Sequence, residues 1–118
     1  MRMAESYTLR QLAEAEILNS CRFRGVSRTP EWMPRISEFY GIVITMNWDE
    51  HLPPHFHAKY AEFLASITIR SRDMSEGRIP PRQLALVRRW ARLHEQELLV
   101  NWERARQRLP LNPIKPLV

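Results

Sequence analysis

The sequence predicts an α+β domain. A three- to four-stranded antiparallel sheet is covered on one face by a long C-terminal helix and preceded by a helical extension. Three observations carry this. The middle of the chain alternates polar and apolar residues with period two, as strands do. The links between those runs are short, which favours antiparallel pairing. The last third instead carries apolar residues three and four apart, from Leu84 to Ala105, the spacing of a helix face.

Each element has its own justification. In residues 1–32, Thr8 is a candidate N-cap, and Leu9, Leu12, Ala13, Ile17 and Leu18 follow at helical spacing. Met33-Pro34-Arg35-Ile36-Ser37 then reads as a fresh start, so the first 32 residues are either a genuine extension or the product of a start placed too far upstream. Phe39 to Met46 is β-branched and apolar, a buried strand. His55 to Tyr60 and Glu62 to Arg70 are the alternating strands, and Arg78-Ile79 is a short candidate fourth. Pro80-Pro81 suits a helix entry. Leu84, Val87, Ala91, His94, Leu98, Trp102 and Ala105 then form one stripe over six turns, on which His94 reads as a core histidine. Pro110, Pro113 and Pro116 end the helix in an extended tail.

A chain of 118 residues is long enough for one self-sufficient core, so a metal here would serve function rather than folding. Cys21 is the single cysteine and forms no internal disulfide, which fits a reducing cytoplasm. Neither a membrane span of about 20 apolar residues nor a secretory leader is expected. The net charge is +5, from 18 basic residues of which only Lys59 and Lys115 are lysines. Such a balance suits a polyanion or an acidic protein. A Gly-rich phosphate loop, a Cys pair and a Ser nucleophile elbow are all lacking, which removes the classes those motifs define.

The chemistry concentrates in Asn47-Trp48-Asp49-Glu50-His51-Leu52-Pro53-Pro54-His55-Phe56-His57, which holds three of the four histidines. Strand parity places Phe56, Ala58 and Tyr60 on one face with Phe63, Ala65, Ile67 and Ile69. His55, His57 and Lys59 take the other face, expected to be open, with Ser66, Thr68 and Arg70 nearby. Three readings compete. His55 and His57 act as general acid and base on RNA, with Lys59, Arg70 and Trp48 contacting the substrate. Alternatively His51, His55 and His57 hold a divalent metal such as zinc, with Asp49 or Glu50 able to complete the shell. In the third reading the histidines are solvated residues beside a turn stiffened by Pro53-Pro54.

From Met33 the chain resembles a small prokaryotic family, domain of unknown function 4160. The matching stretches are Met33 to Ser37, Phe39 to Ile44, His51 to His57, Leu84 to Val87 with Trp90, His94 with Glu97-Leu98, and Asn101-Trp102-Glu103. Together they span about residues 33–117, which makes 33–118 a single α+β domain. The resemblance implies a cytoplasmic protein from toxin–antitoxin-like gene pairs. The helix entry Ile79-Pro80-Pro81-Arg82-Gln83-Leu84 is also distantly similar to that of HicA-type RNA-cleaving toxins. The leading expectation is therefore a toxin–antitoxin component, a ribonuclease through His55 and His57 with no resident cofactor. The alternatives are a module that pairs with a small antitoxin-like protein, and a divalent-metal-binding domain.

Overall fold

The computed structural model describes residues 30–118, so the helix expected within the 1–32 extension, from Thr8 to Leu18, lies outside the described residues. The elements run β1 (Arg35–Phe39), β2 (Ile42–Thr45), β3 (His55–Tyr60), β4 (Phe63–Thr68), β5 (Met74–Arg78), α1 (Pro81–Leu93) and α2 (Glu95–Arg106). The α+β class is as expected, with two corrections: the sheet has five strands, and the helical third is two helices.

The five strands form one antiparallel meander in sequence order, β1-β2-β3-β4-β5. Tyr40 and Gly41 join β1 to β2 with both φ values positive (50° and 78°), as a type I′ hairpin turn requires. Register then fixes the faces. Phe56 opposes Ile67 and Ala58 opposes Ala65, while Ile44 opposes Ala58 on the other side. All five are fully buried, as strand parity predicts. Helix α1 covers this face through Trp90, whose ring lies 5.3 Å from that of Phe39 and 5.8 Å from that of Phe56.

Strand β5 is Met-Ser-Glu-Gly-Arg, mostly exposed, with no apolar alternation to betray it. Backbone pairing with β4 holds it. Ser66 opposes Glu76 and Ile67 opposes Met74, so Ser75 is an extra residue at a β-bulge.

The helix breaks at His94 (φ −119°, ψ 28°), which ends α1 and precedes α2. Its imidazole lies 5.6 Å from the Trp90 ring, tilted by 46°, and Nδ1 pairs with the Glu97 carboxylate. Glu95 and Glu97 give α2 an acidic first turn, favourable beside unpaired helix N–H groups. His94, expected in the core, is thus a partly buried residue at the junction of the two helices.

The tail after α2 packs back over the domain. Buried Asn101 donates from Nδ2 to the Asn112 carbonyl at 2.8 Å and accepts the Asn112 N–H at 2.8 Å. Trp90 Nε1 donates to the Lys115 carbonyl at 2.8 Å, and the Ile114 N–H reaches the Ile36 carbonyl at 2.8 Å. Ile114 and Leu117 join the core. No helix among the described residues is long and apolar enough to cross a membrane.

Candidate functional site

His55 and His57 share the sheet face opposite Phe56, as parity requires, but that face is not open around them. They are only 5 % and 3 % exposed, and Glu50 is 8 % exposed. Two contributions cause this burial. The loop between β2 and β3 brings Glu50 against both imidazoles and Asn47 against that of His57, and Trp102 of α2 lies 5.3 Å from the His55 ring.

Glu50 is the hub. Its Oε1 lies 3.1 Å from His55 Nε2, and its Oε2 lies 3.8 Å from His57 Nε2. Asn47 Nδ2 donates to the same Oε2 at 2.7 Å. One ligand atom from each of Glu50, His55 and His57 lies within 4.8 Å of the others. His51, expected in a metal shell, is instead exposed at the rim, its Nδ1 3.8 Å from Glu50 Oε1. The structure therefore substitutes Glu50 for His51 in the set.

Proton positions follow from the partners. His55 Nδ1 lies 2.8 Å from the Pro53 carbonyl, which can only accept, so Nδ1 carries hydrogen and Nε2 faces the carboxylate. Burial alone would lower the His55 pKa, but the hydrogen bond to Glu50 and that to Pro53 outweigh it and raise it. For His57 burial prevails over the attraction of Glu50, and the pKa is lowered. Burial would raise the Glu50 pKa, yet the hydrogen bonds from His55, His57 and Asn47 hold it well below the usual carboxylate range. The result is an ionised carboxylate between two imidazoles of different proton affinity. His57 Nε2 faces both the Asn47 amide nitrogen, at 3.4 Å, and Glu50 Oε2, at 3.8 Å. The other ring nitrogen, His57 Nδ1, is buried with no partner among the described residues.

Beside the three residues is a cavity of about 170 Å³, completed by Ser66, Ser75 and Glu76, with His51 and Pro53 at its edge. The expected substrate contacts lie elsewhere. Lys59 donates to the Ala61 carbonyl, Arg70 is exposed near Glu95, and Trp48 packs against the core with its buried Nε1 unpartnered. Glu76, Ser75 and Asn47 escaped the sequence reading. Glu76 could have been found only by recognising β5 and its register, since nothing in its own neighbourhood marks it.

No curated protein and no solved structure matches the chain. A family described as a domain of unknown function (DUF4160) matches residues 41–103, from the β1–β2 turn into α2 and including Glu50, His55, His57 and Glu76. The match is narrower than the expected 33–117 but spans just over half of the chain, and the protein belongs to this family.

Proposed function

We propose that this chain is a divalent-metal-binding domain whose centre is Glu50, His55 and His57. The convergence of three buried ligand atoms within 4.8 Å carries the reading. An ionised carboxylate and two imidazole nitrogens turned toward one point need a cation among them. In the metal-free protein a proton on His55 Nε2 meets that need; a metal would replace it.

The surroundings fit. Ligating histidines usually donate their second ring nitrogen to a backbone carbonyl or carboxylate, which is what His55 Nδ1 does with Pro53. Asn47 steadies the carboxylate in the same way. With metal–ligand bonds of about 2.0–2.2 Å, neighbouring ligands sit roughly 3–3.6 Å apart. The 3.1 and 3.8 Å separations run to the two different oxygens of Glu50, and the three ligand atoms lie within 4.8 Å of one another, so the set would tighten by about 1 Å around an ion. Two imidazoles and one carboxylate suit zinc, or a borderline ion such as iron(II).

The RNA-directed and toxin–antitoxin readings rest on the family resemblance and the net charge. Buried imidazoles are poorly placed to meet a ribose phosphate, and neither Lys59 nor Arg70 lines the cavity. The metal reading therefore stands first.

The test is elemental analysis of untagged protein, followed by titration of the metal-free form with zinc. One equivalent per chain is expected. Glu50→Gln and His57→Ala should bind at least about tenfold more weakly at unchanged circular dichroism. Uptake of neither zinc, nickel, cobalt nor iron(II) by the folded wild-type protein would overturn the proposal.

A further inference from the structure

We infer that the centre is hydrolytic: its metal activates a water for attack on a neutral acyl carbon, an ester or amide carbonyl, with Glu76 as general base. This rests on the metal reading above and adds a reaction to it.

Three protein ligands leave at least one coordination position for water, the pattern of catalytic rather than structural zinc. The ligands line a cavity, so that position has somewhere to open. A volume of about 170 Å³ accommodates about five waters at roughly 30 Å³ each, or one small group of a larger molecule.

Glu76 is brought there by register. His57 opposes Ser66 on β4, and Ser66 opposes Glu76 on β5, so the three side chains stand in one row on one face. Adjacent strands lie about 4.8 Å apart. Glu76 is thus two strands from a ligand histidine and lines the same cavity. It forms no ion pair with a described residue, unlike Glu95 or Glu103, and the bulge at Ser75 sets it at the cavity wall. An uncommitted carboxylate beside an open metal position is well placed to take a proton from the bound water.

Charge selects the electrophile. Among the described residues the cavity lining holds no Lys or Arg, although the chain as a whole is basic. A divalent ion with Glu50 and Glu76 comes to roughly zero net charge, and Glu76 would repel an incoming phosphodiester. A phosphoryl site would need cations for the charge that develops on its oxygens. A neutral carbonyl needs only the metal to polarise its oxygen.

The step balances. Glu76 accepts a proton as the water oxygen bonds to the acyl carbon, and the carbonyl π pair moves onto the oxygen held by the metal. The tetrahedral adduct collapses, the bond to the alcohol or amine breaks, and the leaving group takes the proton back from Glu76. The products are a carboxylic acid and an alcohol or amine.

The experiment uses the untagged full chain loaded with zinc, assayed on p-nitrophenyl acetate and bis(p-nitrophenyl) phosphate beside the metal-free protein, free zinc and Glu76→Gln. Expected is ester hydrolysis at least about tenfold above both the metal-free protein and free zinc, lowered by about 100-fold or to background in Glu76→Gln. Zinc affinity of that variant should stay within about threefold of wild type, a split that removing only a proton acceptor produces. A zinc-loaded protein that hydrolyses the ester no faster than free zinc overturns the inference and leaves the metal site standing. So does undiminished activity in Glu76→Gln, or preference for the phosphodiester. Failure to take up metal at all overturns both.

Discussion

Asn101→Ala tests how the tail is held. Asn101 is completely buried, and its amide makes a two-way pair with the backbone of Asn112, both bonds at 2.8 Å. Each such bond contributes about 1 kcal/mol net, so truncation removes about 2 kcal/mol. The loss stops near that figure because Asn112 itself is exposed, and its freed N–H and carbonyl can turn to water. With a urea m-value of about 2 kcal/mol/M, the midpoint should fall by about 1 M. The four tryptophans provide the fluorescence signal, and Trp90 is itself bonded to the tail at Lys115. Asn101→Asp sharpens the test. It keeps an acceptor for the Asn112 N–H but sets a buried carboxylate against the Asn112 carbonyl, so it should cost at least as much as alanine. A midpoint within about 0.2 M of wild type for Asn101→Ala would refute the reasoning.

Other consequences are simpler. Zinc binding should change tryptophan emission, because the Trp102 ring lies 5.3 Å from His55, and Trp102→Phe should remove most of that change. Arg108→Ala breaks the contact with Asp49, but Arg108 is largely exposed, so thermal denaturation should register less than about 1 kcal/mol. In the metal-free protein Glu50 has a folded-state pKa below its ordinary 4.5. Its contribution to stability is therefore present above pH 4.5 and lost as pH falls below it. Denaturant midpoints measured downward from pH 5 should decline, with a shallower decline in Glu50→Gln.

Much of the sheet was legible because side-chain direction in a strand has period two. Phe56, Ala58, Ala65 and Ile67 could be assigned to the inner face, and His55 and His57 to the outer, without knowing the pairing. What lay over the outer face was not legible, because the covering is supplied by a loop and by Trp102, 45 residues beyond His57 in a chain whose pattern says nothing of that contact. Strand β5 stayed hidden for a related reason. Its residues follow no hydrophobic pattern and become a strand through hydrogen bonds to β4. The helix break was masked by continuity: Val87 and Ala91 before His94, and Leu98 and Trp102 after it, keep a common helical spacing. The acidic pair Glu95 and Glu97 was the available signal of a new helix start. The candidate set was half visible, since the histidines announce themselves while the placing of Glu50 rather than His51 beside them depends on how the loop closes.

The tail has a kinetic meaning as well. Every strand pairs with its neighbour in sequence, so the sheet can assemble by closing short loops, at low entropic cost and high speed. The bond from Ile114 to Ile36 closes a loop spanning nearly the whole described domain. Such a closure has a high entropic cost, and the burial of Ile114 and Leu117 together with the Asn101–Asn112 pair offsets it. Glu50, His55 and His57, by contrast, lie within eight consecutive residues. Assembly of the candidate site therefore needs only local chain closure, whereas seating of the tail needs a distant one.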